Sequence, residues 1–512
     1  MLKGLQKSLN IFIQRIKLSL IVYRVEIISL VLIIFGIFLR LLHIGTGSLN
    51  PDEAWVAFSV TRPTFSEMLE NIMAAPFLFN VVLFYTMKIL PYYEVSLRLI
   101  PFIFGIICLP LMYLLTYRLT KSKTVALISL IIIAINPWHI HFSRLLKQYT
   151  AETFFFMALI ILTESLLYTK YRKAEYFLFA ILTIISPIFS YPCVFFLILI
   201  FPVLLYKFIK DKRKRDVVKI VIPYVISASL FLLIYFVIAK EQAGGSKLIN
   251  YWTMKGAFPE FSSLSGFLKR FLTKTNDIII THPFGENSNQ IWILIIVGIL
   301  KLISKNKYKV LYYWVGVLIL LFTASIFQKY TYIGNRLTLF TTPLTFIIVG
   351  YGIVSIFSLL PKKIYTYLIL GFVTFILFIP YIQQLDKQIN RQGGGLRESA
   401  QFVKQHARPN DNLINYNLYY THWMTYFEDF SDYLNVIEQP TELHKGSVEF
   451  VLEQVNNSRN NTFIVMKLPG RNQQKEFYRR RNELLNCFSE NNKIITEYEG
   501  INFYAYYISP PV

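Results

Sequence analysis

The feature that most constrains this chain is a succession of apolar blocks, each roughly 17–25 residues long, the length that carries a helix across ~30 Å of hydrocarbon. They fall at about 25–43, 99–117, 123–138, 151–168, 174–189, 192–208, 218–239, 290–304, 309–327, 337–359 and 364–383. Their interiors are almost free of charge, as a bilayer requires of side chains it surrounds. A water-soluble chain of 512 residues has no need of a composition that is 54% hydrophobic and 16% aromatic. The expectation is an α-helical polytopic membrane protein with about eleven spans.

The formal charge of +22 invites a nucleic-acid reading, but the placement of the charge opposes it. The basic residues sit in short loops between apolar blocks, which is how membrane topology is encoded. There is no basic low-complexity tail and no recognisable nucleic-acid motif, so no nucleic-acid partner is expected. Lys121 and Lys123, Lys170 to Lys173, Lys210 to Lys214, Lys305 to Lys309, and Lys362 with Lys363 all fall on one side of the bilayer. That side is the cytoplasm, and the basic first 24 residues, read as an uncleaved start, lie there too. Loops 44–98, 139–150, 240–289 and 328–336, and everything after residue 384, then face outward. The apolar stretch Phe77 to Leu90 lies between Pro76 and Pro91 and is short for a span. It is read as a juxtamembrane helix on the outer surface, since counting it as a span would put the Lys121 loop outside.

Two domains are expected: a transmembrane domain at 1–383 and an extracytoplasmic α/β domain at 384–512. After Gly393-Gly394-Gly395 the pattern predicts a helix at 396–406, strands at 412–416 and 433–437, and a helix at 448–455. A strand at 462–468, a helix at 474–487 and a strand pair at 493–508 follow. Strands alternating with helices point to a small, partly parallel sheet. Cys108 and Cys193 lie in apolar segments and Cys487 in the tail, so neither a disulfide framework nor a cysteine metal site is readable.

Chemistry-bearing residues gather in the outer loops. Asn50-Pro51-Asp52-Glu53-Ala54-Trp55 places adjacent carboxylates just beyond the first span. Such a pair can bind a divalent cation, act as acid or base, or simply be solvated. Arg98 reaches the same outer face, and an arginine there suits a departing phosphate as a carboxylate suits an acceptor proton. The run from Asn136 to Glu152 carries His139 and His141, which can ligate a metal or sit as interfacial residues, with no third ligand in sight. Arg144 and Lys147, three apart, share a helical face and suit either a phosphate or lipid head groups. Arg336 stands at another outer boundary, as a phosphate holder or an ordinary snorkelling residue. Trp55, His139, His141, Tyr149 and Glu152 complete the candidates, as substrate-binding side chains.

Four features in order then resemble one family. They are Asp52-Glu53 after the first span, and Ala75-Pro76-Phe77-Leu78-Phe79 opening the juxtamembrane helix. Next come Glu94-Val95-Ser96-Leu97-Arg98-Leu99-Ile100-Pro101 leading through Gly105, and Asn136-Pro137-Trp138 leading to Ser143-Arg144 and Gln148-Tyr149. Together they cover about the first 170 residues, with a weaker echo at Asn335-Arg336 and Pro343. This pattern is similar to the GT-C class of polyprenyl-phosphate-sugar-dependent glycosyltransferases, in particular the family of the protein O-mannosyltransferases and the lipid A aminoarabinose transferase. The resemblance implies a sugar donor on a polyprenyl monophosphate and an acceptor outside the cytoplasm. It implies Asp52 as catalytic base, Glu53 in support, and Arg98 near the reacting centre. It implies no required cofactor, although Asp52 and Glu53 together can recruit a divalent cation. The chain departs from the family in having Ala75 before Pro76 and Trp55 where tyrosine is commoner.

Two other classes compete. A transporter or flippase for lipid-linked sugars requires polar or interrupted helices at the membrane midplane, and here the span centres are nearly charge-free. A non-catalytic subunit that uses its tail as a binding module makes the Asp52 carboxylate dispensable.

Overall fold

The structure is a computed structural model, and it describes residues 24–72, 75–91, 94–168, 173–239, 246–259, 263–286, 288–358, 382–383, 385, 395–416, 426–427, 430, 434–438, 448–458, 460–467, 474–490, 494–499 and 503–508. Two compact units divide the chain. One draws on Met1–Leu42, Ala75–Leu83 and Arg98–Arg391, the other on His43–Ala74, Phe84–Leu97 and Gln392–Val512.

The first unit is a bundle of apolar helices. Arg24–Leu41, Glu94–Thr120, Lys123–Ala134, Tyr149–Leu166, Lys173–Phe189, Cys193–Lys210, Lys214–Ile234, Ile291–Ser304, Tyr308–Ile326 and Thr342–Ser358 correspond to the first ten apolar blocks of the sequence. Among the described residues, six helices are by themselves long and apolar enough to cross a membrane, and a bent pair, counted as one span, makes seven. The eleventh expected span, 364–383, lies almost wholly outside the described residues. Side chains exposed on these helices are large and apolar, such as Leu30, Phe177, Leu233, Ile293 and Leu300. That surface is matched to lipid, and the protein is a multi-pass membrane protein. Close helix contacts rest on small residues where backbones meet. A β-carbon at Gly298 would overlap the Ile348 carbonyl, and one at Gly352 the Leu294 carbonyl, so helices Ile291–Ser304 and Thr342–Ser358 approach only because both positions are glycine.

One expected span is broken. The segment read as 123–138 stops at Ala134 and resumes as Pro137–Ser143, turned by 58°. Asn136 caps the new helix, its side chain accepting from the His139 N–H at 2.9 Å, and Pro137 takes the first helical position, where a missing N–H costs nothing. At the end of the first piece the Ile133 carbonyl accepts from the Asn136 N–H at 3.3 Å, and a side chain from another helix adds to this. Arg40, fully buried, donates through Nη1 to the Ala134 carbonyl at 3.0 Å and through Nη2 to the Ile133 carbonyl at 3.0 Å. A cation at a helix C-terminus also complements the helix dipole.

The juxtamembrane stretch is a helix, Phe77–Ile89, of 13 residues. At 1.5 Å per residue it spans about 20 Å, short of a hydrocarbon core. Buried Asn80 turns back on its first turn, donating to the carbonyls of Ala75 and Pro76.

In the second unit, strands β1 (Asn412–Tyr416), β2 (Asn435–Glu438), β3 (Thr462–Lys467), β4 (Ile494–Glu499) and β5 (Phe503–Ile508) form one sheet in the order β2-β1-β3-β5-β4. β1 pairs in parallel with β2 and β3, and β5 runs antiparallel to β3 and β4. Both faces are covered, which is why Phe463 to Met466 read as an unbroken apolar run and not as an alternation. Phe463 and Val465 pack with Leu396, Phe402 and Val403 of helix Leu396–His406 on one face. Ile464 and Met466 pack on the other with Val451 and Val455 of Val448–Asn456 and Leu484 and Phe488 of Gln474–Glu490. The tail is the small α/β domain with a partly parallel sheet that its sequence pattern predicts.

Candidate active site

The candidate residues fall into two sets, one in each unit. In the second unit, Asn50-Pro51-Asp52-Glu53 starts the helix Pro51–Val60. Asn50 is the N-cap, Pro51 the first helical residue, and Asp52 and Glu53 follow in the first turn. The Asn50 side chain accepts from the Glu53 N–H at 3.1 Å, and Glu53 Oε2 accepts from the Asn50 N–H at 3.0 Å. This reciprocal pair is a capping box, and it gives Glu53, only 1% exposed, a structural task. Asp52 is half-buried in the first turn of the helix, at the positive end of its dipole. Trp55 is half-buried one turn further on, in a helix whose Ala54 and whose residues from Val56 to Val60 are buried.

In the first unit, the turn after the broken span brings Arg144 near Arg98 of helix Glu94–Thr120, while Lys147 lies in the bend after Arg144 and not on a helical face shared with it. Arg144 ends the helix Pro137–Ser143 and is buried, with its Nη1 donating to the Leu42 carbonyl at 2.6 Å. Lys147 and Arg98 are buried as well. Burial, reinforced by the nearby charge of Arg98, pushes the Arg144 guanidinium down to about 10, so it stays a cation at neutral pH in a place that disfavours cations. The close fit of this turn depends on Gly105. A β-carbon there would overlap that of Ser143, the residue before Arg144. Thr150 ties the next helix to the same neighbour, its hydroxyl donating to the Pro101 carbonyl at 2.8 Å.

The remaining candidates surround that turn. His139 is fully buried with Nε2 3.2 Å from the Thr342 hydroxyl, while His141 is half-buried and lies edge-on to Trp138. Tyr149 packs edge-on against Phe142 and shares a small apolar cluster with Leu339. Glu152 is buried in the first turn of Tyr149–Leu166. Arg336 is half-buried at the start of the 3₁₀ turn Arg336–Thr341, which Asn335 caps. The Tyr330 hydroxyl donates to the Leu337 carbonyl of that turn at 2.8 Å.

Three residues of this region were not among the sequence candidates. Arg40 signals itself only as a charge in an otherwise apolar span. His282, buried and stacked on Trp138 with ring centroids 5.2 Å apart, belongs to a loop whose sequence carries no motif. Burial drives its imidazole down to about 3, so it is neutral at physiological pH. Tyr330 looks like any interfacial tyrosine. Among the described residues no three His, Cys, Asp or Glu side chains gather where they could share a metal ion.

Comparison with known proteins bears on this arrangement. Residues 73–242 match the family model described as Dolichyl-phosphate-mannose-protein mannosyltransferase, a stretch that includes Arg98, Arg144, Lys147 and Glu152. No curated protein sequence matches the chain. Among solved structures, the fold is similar to ArnT from Cupriavidus metallidurans bound to undecaprenyl phosphate, with 11% identity, a TM-score of 0.51, and coverage of 95% of this chain and 97% of that one. The apo state of the same protein matches with 10% identity, a TM-score of 0.51, and coverage of 96% and 98%. The Archaeoglobus fulgidus oligosaccharyltransferase in complex with Zn and sulfate matches with 14% identity, a TM-score of 0.50, and coverage of 88% and 69%. At such identities the likeness is one of fold, and that fold is the GT-C type: a helical membrane bundle with a small C-terminal α/β domain. The resemblance read from the motifs therefore holds in the family model and in the architecture.

Proposed function

We propose that the protein is a membrane glycosyltransferase that moves a sugar from a polyprenyl-phosphate donor to an acceptor hydroxyl outside the cytoplasm. The observation that carries this reading is the buried pair of arginines. Two buried guanidinium groups near one another, Arg98 in the first turns of its helix and Arg144 in the turn after Ser143, repel, and a phosphate is the group whose charge and oxygen geometry complement them. Arg98, Arg144 and Lys147 are the proposed phosphate holders, with Arg336 beside them in role. The match to a mannosyltransferase family model and the fold shared with a protein solved with undecaprenyl phosphate support the same donor class.

The proposed reaction is one in-line displacement. The acceptor oxygen attacks the anomeric carbon while Asp52 takes the proton from that hydroxyl. The bond between the anomeric carbon and the phosphate oxygen breaks, and its electron pair leaves on polyprenyl phosphate. The cations hold the charge that develops. A single displacement inverts the anomeric centre. Glu53 fixes the helix start that carries Asp52, and Trp55, His139, His141, Tyr149 and Glu152 are the proposed substrate-binding residues. Because guanidinium and ammonium groups meet the phosphate charge, the proposed step calls for no cofactor.

Mass spectrometry of the cell envelope with and without the chain tests the proposal. Deletion is expected to remove a sugar-sized increment from envelope glycans while the polyprenyl-phosphate sugar accumulates on the outer leaflet, where a membrane-impermeant oxidant reaches it on intact cells. Accumulation confined to the inner leaflet would instead identify a transporter. Unchanged glycans would identify a non-catalytic subunit.

A further inference from the structure

The loop that delivers Asp52 is gripped by residues some 350 positions away in the sequence, within the same compact unit. The backbone N–H of Arg397, at the start of helix Leu396–His406, donates to the Ser48 hydroxyl at 3.0 Å. The Arg397 guanidinium reaches the Gly45 carbonyl at 3.4 Å through Nη1, and the same nitrogen donates to Glu94 Oε2 at 3.1 Å. Its Nη2 donates to Glu398 Oε1 at 2.9 Å. The other oxygen of Glu398 accepts from the Ser48 hydroxyl at 3.4 Å. Tyr426 completes the grip: its hydroxyl accepts from the Leu49 N–H at 2.8 Å and donates to Glu94 Oε1 at 3.2 Å. Ser48, Leu49 and Glu94 are all buried.

The arrangement has a direct mechanical consequence. The N–H of Leu49 is held by Tyr426, and the next one, of Asn50, is held by Glu53 in the capping box. Two consecutive amides immediately before the helix are therefore fixed, one by the C-terminal segment and one by the helix itself. Asp52 sits two residues further on and has no freedom to shift along the helix axis while both hold. Glu94 is the common anchor, since its two oxygens receive Arg397 and Tyr426 separately. A buried carboxylate shared between two donors, each reaching a different part of one loop, is a device for position. A surface ion pair between flexible side chains would not set the loop in this way.

We infer that Arg397 and Tyr426 are positioning residues for Asp52, so that the C-terminal segment is a working part of the transferase and not an appended module. This inference rests on the reading of Asp52 as the base. The test uses the full chain in nanodiscs and the variants Tyr426→Phe, Arg397→Leu, Glu94→Gln and the pair Arg397→Leu with Glu94→Gln. Hydrogen exchange over residues 45–53 is expected to quicken tenfold or more in Tyr426→Phe and Arg397→Leu, while strand β1 exchanges within twofold of the wild type. In cells that carry each variant in place of the native chain, glycan modification should fall at least threefold. The double variant should do no worse than Arg397→Leu alone, because the two act as one unit. Tyr426→Phe removes a single oxygen, so it decides the matter if Arg397→Leu fails to fold. Unchanged exchange over 45–53, or a loss of protection spread equally to β1, would overturn the positioning role whatever Asp52 does. Full activity in Asp52→Asn, with the exchange result as expected, would instead leave the grip real and remove the base.

Discussion

At the residue scale, the resemblance motifs acquire physical reasons. Gly105 belongs to the motif that follows Arg98, and the structure shows why a side chain is not accepted there: Ser143 occupies the space, and Arg144 is the next residue. Gly105→Ala is expected to push that turn outward and weaken binding of the proposed polyprenyl-phosphate donor about tenfold, roughly 1.4 kcal/mol. Titration of the purified variant in nanodiscs measures it, and wild-type affinity would show that the turn adapts. Glu53 illustrates what the sequence half-revealed. The spacing from Asn50 to Glu53 is that of a capping box, a signal present in the letters, yet an adjacent pair of acids draws attention to chemistry before geometry. Arg144 and Lys147 draw notice in the sequence because basic residues in a loop expected to face outward run against the charge bias of membrane proteins. Arg40 does not, since its partners are backbone carbonyls that no residue pattern announces.

At the element scale, most helices follow from length and hydropathy, because a bilayer leaves little alternative. The break at Ile135-Asn136 is different. The apolar run continues almost to Trp138, and only Asn136-Pro137 marks a helix start locally. Arg40 helps sustain the break by donating to the Ala134 carbonyl at the end of the first piece. Arg40→Met is therefore expected to destabilise the protein by about 1–3 kcal/mol, the cost of leaving one buried polar group, the Ala134 carbonyl, without its donor. A melting temperature equal to that of the wild type would refute this role for Arg40. In the tail, strand and helix positions were legible because β-branched and aromatic runs alternate with amphipathic ones. The sheet order was not, because pairing β1 between β2 and β3 is decided by packing over distances that no local window covers.

At the scale of the whole molecule, the basic loops imply a topology with the N-terminus in the cytoplasm and the C-terminal domain outside. A cysteine placed at Ser489 is expected to react with a membrane-impermeant maleimide on intact cells, and labelling only after the membrane is broken would contradict the topology. The association of the 43–74 segment with residues 392–512 in one unit left no trace in the sequence. Ser48 and Arg397 meet through tertiary structure alone. The account nevertheless turns on one carboxylate. Asparagine at position 52 keeps the shape of aspartate and cannot accept the acceptor's proton at neutral pH. General-base catalysis is typically worth ~10²–10⁴ in rate. The most direct measurement is sugar transfer by purified Asp52→Asn in nanodiscs, with the donor extracted from the source membrane and with donor affinity and melting temperature taken on the same sample. A stable, donor-binding protein whose turnover has fallen at least a hundredfold is the predicted result, and near-normal turnover would contradict the assignment of Asp52 as the base.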